Sequence, residues 1–338
     1  MNPIHDFRSD TVTRPSAAMR AVMASAEVGD AVMDDCPTTR RLEAMAAERL
    51  GKQAGLFFPT GTQSNLAGLM AHCGRGDEYL VGQFAHTYRY EGRGAAVLGS
   101  IQPQPLPNEP DGTIALAAIE AAIKEDDFHH ARTRLLTLEN TFGGQVLPAD
   151  YVQAATDLAR HHGLATHLDG ARVMNAAIAT GRDPAELASP FDSVSLCLSK
   201  GLGAPIGSVL VGTRALIESA RRIRKMLGGG MRQTGVIAAA GIYALEHNVT
   251  RLAEDHARAA RLAEALTRFP ALGATGPHTN MVFMRPETCS VDDFITFMAG
   301  QGIAVGSNYG AVRWVTHLDV GDDAVEAVAR ACETFMAT

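Results

Sequence analysis

Cysteine is scarce in this chain of 338 residues, and its thiols are scattered. The five cysteines stand at positions 36, 73, 197, 289 and 332, are odd in number and form no C-x-x-C pair. A disulfide framework or a cysteine zinc site needs paired or closely spaced thiols. We therefore expect reduced thiols, and the 12 histidines show no spacing that would predict a metal site.

Long apolar runs and clusters of basic residues are also missing. No apolar segment approaches the ~20 residues of a membrane-spanning helix, and residues 1–10 lack the apolar centre of a signal peptide. The net charge is −7, without a basic stripe that would attract nucleic acid or an anionic membrane. We therefore expect a cytoplasmic protein whose partner is a small molecule, and neither nucleic acid nor membrane.

The composition is that of a globular protein, with 46% hydrophobic and 20% charged residues. Because the length exceeds the usual size of a single core, we expect one large domain and a smaller one. In the first two-thirds, short apolar runs alternate with helical patterns, which is typical of an α/β fold with a mostly parallel sheet. The strand candidates are residues 55–58, 78–81, 134–138, 165–168, 193–198 and 208–211, and residues 150–162 form an amphipathic helix closed by Gly163.

The pattern changes beyond residue 248. A long helical stretch at residues 251–268, rich in alanine and in charges of both signs, ends before Pro270. Strands are then expected at residues 279–284, 302–305 and 312–315, and helices at residues 291–299 and 323–337. We therefore predict a large domain with an N-terminal arm at residues 1–248 and a small α+β domain at residues 249–338.

Lys200 stands where an apolar strand meets a glycine loop, within residues 195–203. Desolvation lowers the pKa of an amine, so a lysine in such a place can be nucleophilic near neutrality and form a Schiff base with an aldehyde. The alternative is a strand-end lysine whose ammonium group reaches water. This segment by itself leaves both interpretations open.

A second strand, at residues 164–168, ends in Asp169, Gly170 and Ala171, followed by Arg172. In an open α/β sheet, ligands collect beyond the carboxyl ends of the strands. A carboxylate that keeps a pyridinium nitrogen protonated, together with a lysine imine, is the minimum equipment for pyridoxal 5′-phosphate (PLP). An Asp-Gly pair alone is more often a turn, but its combination with Lys200 favours the cofactor.

Two further segments follow apolar strands. Residues 58–65 open a helix at Gly61 and Thr62, where free backbone N–H groups could hold a phosphate, although an N-capped helix start explains the pattern equally well. His86 follows the strand at 78–81 and could stack on a cofactor ring and transfer protons. A lone loop histidine is usually only a hydrogen-bonded residue.

Six segments in order resemble the low-specificity L-threonine aldolases, PLP enzymes of the aspartate aminotransferase fold (fold type I) in the β-eliminating lyase superfamily. The resemblance runs from about residue 6 to 319 and rests on residues 7–15, 59–65, 167–172, 198–203, 228–233 and 312–317. It implies that Lys200 holds PLP covalently, that Asp169 pairs with the pyridine nitrogen, that Gly61 and Thr62 hold the phosphate, and that His86 stacks on the ring.

The resemblance also implies a substrate site and an assembly. Ser9, Arg172 and Arg313 would receive the amino acid carboxylate, with Arg172 also bordering the cofactor, since guanidinium forks recognise carboxylates bidentately. Two dimers would make a homotetramer with active sites at the dimer interface. Lys225 and Arg232 would then reach the phosphate of a neighbouring subunit, although residues 221–225 alone indicate a solvated basic helix face.

The chain departs from the family pattern at two places. After residues 28–30 it lacks the usual tyrosine, and Phe142 replaces the histidine that faces the substrate β-hydroxyl in the family. Phe142 can neither donate nor accept a hydrogen bond, nor act as a base. Proton removal would then fall to His86, through a water held near Tyr90. We expect the enzyme to distinguish substrates by shape, with weak threo/erythro preference and tolerance of bulky β-substituents.

The implied reaction is retro-aldol cleavage of L-threonine, L-allo-threonine and related β-hydroxy-α-amino acids to glycine and an aldehyde. An alternative is a PLP enzyme of the same scaffold that breaks another bond, namely a β-eliminating lyase, a racemase or a transaminase. A non-catalytic binding module that kept the fold is a third interpretation.

Overall fold

A computed structural model describes residues 5–308 and 310–337. Its strands are β1 (His5–Asp6), β2 (Ala54–Phe58), β3 (Glu78–Gly82), β4 (Gln102–Leu106), β5 (Thr133–Glu139), β6 (Ala165–Asp169), β7 (Ser193–Cys197), β8 (Ser208–Gly212), β9 (Ala274–His278), β10 (Met281–Met284), β11 (Ile303–Ala304), β12 (Gly306–Asn308) and β13 (Ala311–Val315). Its α-helices are α1 (Ala17–Ala24), α2 (Pro37–Arg49), α3 (Gly61–His72), α4 (His86–Arg89), α5 (Gly94–Val97), α6 (Leu116–Ala122), α7 (Ala149–His161), α8 (Val173–Thr180), α9 (Pro184–Ala188), α10 (Arg214–Met226), α11 (Gly235–His247), α12 (Leu252–Thr267), α13 (Val291–Gly300) and α14 (Asp322–Met336).

A seven-stranded sheet, in the order β2-β8-β7-β6-β5-β3-β4, forms the centre of the molecule. The pairs from β7 to β4 are parallel, whereas β8 runs antiparallel to both β2 and β7. All residues of β3, β7 and β8 are buried, as expected for strands covered by helices on both faces. The predicted α/β fold with a mostly parallel sheet is therefore confirmed.

Strand β4 is the element of this sheet that the sequence did not predict. It contains Pro103 and Pro105, which cannot donate hydrogen bonds to a neighbouring strand. The strand lies at the edge of the sheet, and among the described residues it pairs with β3 alone. The missing N–H groups of the two prolines are tolerated there because one side of an edge strand has no partner strand. Proline therefore concealed an edge strand from a prediction based on apolar runs.

The predicted helix at residues 150–162 is α7, and it packs against the sheet. Val152, Ala155 and Ala159 enter the main core, on one face of the helix. Gly163, which follows the helix, has φ 74°, a left-handed conformation that favours glycine at the end of a helix. Helix α7 thus shields one face of the strands whose carboxyl ends carry the site described below.

A second hydrophobic core lies under a four-stranded antiparallel sheet, in the order β12-β13-β10-β9, with α12, α13 and α14 packed on it. Its centre is Trp314, whose ring meets Phe7 edge-on at a centroid distance of 5.5 Å. Strand β1 also pairs with β11, so the N-terminal segment packs with the C-terminal elements. The domain boundary after residue 248 stays a prediction. Among the described residues, no helix combines the length and apolar character needed to cross a membrane.

Candidate active site

A cleft of about 370 Å³ opens beyond the carboxyl ends of β5, β6 and β7, where the large sheet faces β10 and β13. This is where a parallel α/β sheet binds ligands. The predicted site residues that line it are Ser9, His86, Tyr90, Phe142, Arg172, Lys200 and Arg313. The structure thus brings together residues that are up to 304 positions apart in the chain (313 − 9).

Lys200 lies in a tight turn just after β7, and its side chain reaches the cleft. Its carbonyl oxygen accepts hydrogen bonds from Gly203 N at 2.8 Å and from Thr13 Oγ1 at 3.1 Å. Gly203 has φ 77°, which allows the chain to turn sharply here. The backbone of the lysine is therefore fixed from two sides while its amine faces the cavity.

Asp169 ends β6 and is 3% exposed. Its Oδ2 accepts a hydrogen bond from Asn65 Nδ2 at 2.9 Å, and its Oδ1 accepts one from Ala171 N at 3.1 Å. Both oxygens are therefore held in place by donors that suit a carboxylate. The predicted acid is therefore buried and held in one orientation at the carboxyl end of β6, next to the strand that leads to Lys200.

His86 begins α4, and a carboxylate orients its ring. His86 Nδ1 lies 2.8 Å from Glu91 Oε1, and Glu91 is 8% exposed. Burial opposes a charge on the imidazole, but the hydrogen bond to Glu91 and the charges of Asp169 and Glu91 outweigh it, so the pKa of His86 is raised. Nδ1 is thus occupied, and Nε2 is the ring atom left to accept a proton.

Glu139 also lines the cleft, although the sequence pattern did not predict a role for it. It ends β5 directly beside Asp169 of β6, and its Oε2 accepts a hydrogen bond from His86 N at 2.8 Å. Burial and the Asp169 carboxylate raise the pKa of Glu139 from the ordinary 4.5 to about 7. The sequence contains a pattern that could have predicted it, because Glu139 directly follows a predicted strand, as Asp169 does.

The stability of the protein is expected to depend on Glu139 between pH 4.5 and 7. Because the folded pKa is raised, the protonated carboxyl stabilises the fold fully below pH 4.5, and this contribution is lost as pH rises through about 7. We expect urea unfolding to show that the free energy of unfolding of wild type, relative to that of Glu139→Gln, falls as pH rises across this range. The exposed Glu120→Gln is the control, and parallel curves for all three proteins would contradict the prediction.

Arg172 is held by an acid of the N-terminal segment. Its Nε and Nη2 each donate to Asp10 at 2.7 Å, and Asp10 is fully buried. Burial opposes the charge of Asp10, but the Arg172 guanidinium outweighs it and holds the pKa of that carboxyl well below its usual range. This pair leaves the remaining N–H groups of Arg172 for a ligand in the cleft, and the expected contact with a substrate carboxylate stays a prediction.

Ser9 and Arg313 both line the cleft. Ser9 Oγ accepts hydrogen bonds from Thr11 N at 3.2 Å and Thr11 Oγ1 at 2.9 Å. Arg313, on β13, donates from Nη2 to Arg8 O at 3.1 Å. Two guanidinium groups, of Arg172 and Arg313, therefore reach one cavity from the two sheets.

Gly61 and Thr62 form the first turn of α3, and neither is among the described residues that line the cleft. Thr60 caps the helix, with Oγ1 accepting from Gln63 N at 3.1 Å. A Cβ atom on Gly61 would lie 2.7 Å from Cys197 Sγ, so only glycine fits against the end of β7. The first amides of a helix have no intrahelical acceptor, and this helix start is therefore a potential anion site.

Lys225 and Arg232 lie outside the cleft of their own chain. Lys225 is in the last turn of α10, and Arg232 Nη1 donates to Asp30 Oδ2 at 2.9 Å. The expectation that a neighbouring subunit uses these two residues stays a prediction.

Phe142 forms an apolar wall of the cleft and is fixed by a tight turn. Its N and O atoms exchange hydrogen bonds of 2.9 Å with Gln145, across Gly143 and Gly144, which have φ 53° and 84°. The ring rests on Gly112, where a Cβ atom would lie 2.7 Å from Phe142 Cδ1. The position of the histidine expected in the family is thus filled by a rigid hydrocarbon surface.

Comparison with known proteins agrees with this architecture. The chain belongs to the β-eliminating lyase family, whose pattern matches residues 6–288. Among its relatives, the low specificity L-threonine aldolase of Escherichia coli K12 is 50% identical over 332 residues, covering 98% of this chain and 99% of the relative. Low-specificity L-threonine aldolase 1 of Arabidopsis thaliana is 47% identical over 290 residues, 83% of this chain and 81% of the relative.

Two solved structures share the fold at lower identity. Leishmania major threonine aldolase has a TM-score of 0.80 at 21% identity, with 98% of this chain and 99% of that chain covered. The sphingosine-1-phosphate lyase of Burkholderia pseudomallei has a TM-score of 0.78 at 19% identity, with 98% and 85% covered. The resemblance inferred from sequence motifs is therefore confirmed at the level of family and fold.

Proposed function

We propose that this protein cleaves L-threonine, L-allo-threonine and related β-hydroxy-α-amino acids to glycine and an aldehyde, which is acetaldehyde for threonine. The observation that carries the proposal is the convergence of Lys200, His86, Arg172 and Arg313 on one cleft beside buried Asp169. The 50% identity to an Escherichia coli low specificity L-threonine aldolase over nearly the whole chain supports the same reaction.

The residues of the site fit PLP. Asp169 is a buried, doubly hydrogen-bonded carboxylate that suits a pyridinium nitrogen, and the Gly61-Thr62 helix start suits a phosphate. Lys200 would hold the cofactor covalently and His86 would lie against its ring, with Lys225 and Arg232 of a neighbouring subunit near the phosphate. When bound, PLP supplies an electron sink for the electron pair of the bond that breaks.

The substrate carboxylate would bind between Arg172 and Arg313, with Ser9 beside them. Asp10 fixes the orientation of the Arg172 guanidinium before a substrate arrives, which reduces the conformational entropy lost on binding. The two cations fix one end of the amino acid, and the β-carbon then lies toward the side of the cleft formed by His86, Tyr90 and Phe142.

Proton transfer would fall to His86, because Phe142 has no group that exchanges protons. Glu91 occupies Nδ1, so Nε2 takes the proton from the β-hydroxyl oxygen, directly or through a water held near Tyr90. As this proton leaves, the Cα–Cβ bond breaks, the C–O bond becomes a carbonyl and the aldehyde departs. Protonation at Cα then completes glycine.

Phe142→His is expected to change the stereochemical preference. Phe142 contacts the β-substituent by shape alone, so the wild-type enzyme should show similar kcat/KM for L-threonine and L-allo-threonine, and should accept aromatic substituents such as that of phenylserine. A histidine would hydrogen-bond the hydroxyl of one diastereomer and shift the ratio by about tenfold. Strong wild-type selectivity that Phe142→His leaves unchanged would contradict this explanation.

Product analysis tests the proposed function itself. Purified protein should release acetaldehyde and glycine from L-threonine, whereas a β-eliminating lyase or transaminase would release a keto acid from serine or threonine, and a racemase would invert Cα. Pyruvate from serine, or a keto acid from threonine, without aldehyde would replace the proposal with one of these classes.

We also propose a homotetramer located in the cytoplasm. The placement of Lys225 and Arg232 outside their own cleft supports active sites at a dimer interface, and the five scattered cysteines suit a reducing compartment such as the cytoplasm.

A further inference from the structure

A buried amide joins the two acids of the site. Asn65, on α3, is 2% exposed, and its Nδ2 donates to Asp169 Oδ2 and to Glu91 Oε1, both at 2.9 Å. Glu91 Oε1 also accepts from His86 Nδ1 at 2.8 Å. The functional atoms of His86, Glu91 and Asp169 consequently lie within 4.8 Å of one another.

A chain of hydrogen bonds behind Asn65 fixes its orientation. Asn65 Oδ1 lies 3.2 Å from His167 Nε2, and His167 Nδ1 lies 2.8 Å from Ser193 Oγ, which lies 2.8 Å from His72 Nε2. An amide oxygen can only accept, so His167 Nε2 donates, Ser193 donates to His167 Nδ1 and His72 donates to Ser193. Burial lowers the pKa of His167 to about 3 and of His72 to about 4. Both rings are therefore neutral, as this series of hydrogen bonds requires.

A carboxylate at position 91 would be energetically unfavourable if this side chain had a structural role alone. A glutamine at this position could accept from Asn65 and His86 without placing a second buried carboxylate close to Asp169, where like charges repel. What only the carboxylate supplies is a charge opposite to a protonated imidazole. Asp169, Glu139 and Lys200 also face His86, from β6, β5 and the turn after β7, and the charges of Asp169 and Lys200 oppose each other there.

We propose that Glu91 and Asn65 are the positioning residues of this site. Glu91 holds the imidazole of His86 so that Nε2 accepts the proton, and Asn65 holds the carboxyl groups of Glu91 and Asp169 side by side by donating one hydrogen to each. This inference rests on the proposed function for its consequence in turnover, but its geometric part concerns the protein alone.

The test compares Glu91→Gln, Glu91→Asp and Asn65→Asp with wild type, and uses Glu120→Gln as an exposed control. The pKa of His86 is measured by mass spectrometry of C2-hydrogen exchange of the histidines, with and without PLP, and kcat and KM are measured against pH. In Glu91→Gln the pKa of His86 should fall by about one unit and kcat roughly a hundredfold, with KM little changed. Glu91→Asp should keep the pKa raised and recover part of kcat.

Asn65→Asp keeps the shape of the side chain but removes the amide that donates to both Glu91 and Asp169. The affinity for PLP, measured by fluorescence quenching, should therefore fall at least tenfold. Circular dichroism should show that the fold is unaltered. The proposal is overturned if folded Glu91→Gln keeps the wild-type pKa of His86, if that pKa falls without loss of kcat, or if Asn65→Asp binds PLP as wild type does. A wild-type protein that cleaves no β-hydroxy amino acid would instead remove the proposed function, while the pKa of His86 in Glu91→Gln would still decide the positioning role.

Discussion

Lys200→Ala is expected to abolish covalent cofactor attachment and to lower kcat with L-threonine by roughly a thousandfold or more, the scale seen when a covalent nucleophile is removed. Among the described residues, Lys200 is the one lysine that lines the cleft, in the turn just after the buried strand β7. Borohydride reduction followed by peptide mass spectrometry should show PLP on Lys200 in wild type and on no residue in the variant.

Lys52→Ala is the matched control for this experiment. Lys52 lies away from the cleft and donates to Phe191 O at 2.5 Å, so its loss should leave attachment and kcat unchanged. Attachment of PLP at another lysine in the wild-type enzyme would refute the assignment of Lys200.

Asp169→Asn is expected to have the second largest effect. Asparagine keeps the size of the side chain but removes the negative charge that would hold the pyridine nitrogen protonated, so the cofactor would accept electrons less well. We expect kcat to fall by roughly 10²- to 10³-fold, as when a preorganised electrostatic contact is removed, with PLP still bound. Steady-state kinetics and the stoichiometry of bound PLP measure the two quantities separately.

Asp157→Asn provides the comparison, since Asp157 is 58% exposed on the outer face of α7. A variant at Asp169 whose kcat stays within threefold of wild type would show that the acid does not govern the chemistry. Loss of bound PLP without change in kcat per occupied site would assign Asp169 to binding alone.

The fold was predictable where burial and secondary structure agree. The six predicted strands of the large sheet appear with bounds that differ by at most one residue, because each is a short apolar run between turn residues. Strand β4 was missed because its prolines suit only an edge, and β9 because it is a largely exposed strand with a glycine and a proline. Edge strands depend on their neighbours, which a local pattern does not contain.

The site was predictable where chemistry coincides with a strand end. Asp169 ends β6 and Lys200 closely follows β7, and both were predicted from the residues themselves; their roles stay predictions. Glu91 and Asn65 were missed because their role depends on distances across three elements, α3, α4 and β6, that no spacing in the chain reports. A buried carboxylate next to another is visible only once the elements are packed.

The N-terminal segment connects the C-terminal strands to two residues of the candidate active site. Phe7 is hydrogen-bonded to Ala304 of β11 and to Val315 of β13, Asp10 holds Arg172, and Thr13 bonds the carbonyl of Lys200, all within seven residues of chain (7–13). One short stretch of backbone therefore ties β11 and β13 to both the arginine and the lysine of the cleft. The residue proposed to bind the substrate carboxylate and the residue proposed to hold the cofactor are in this way anchored by the same segment of the chain.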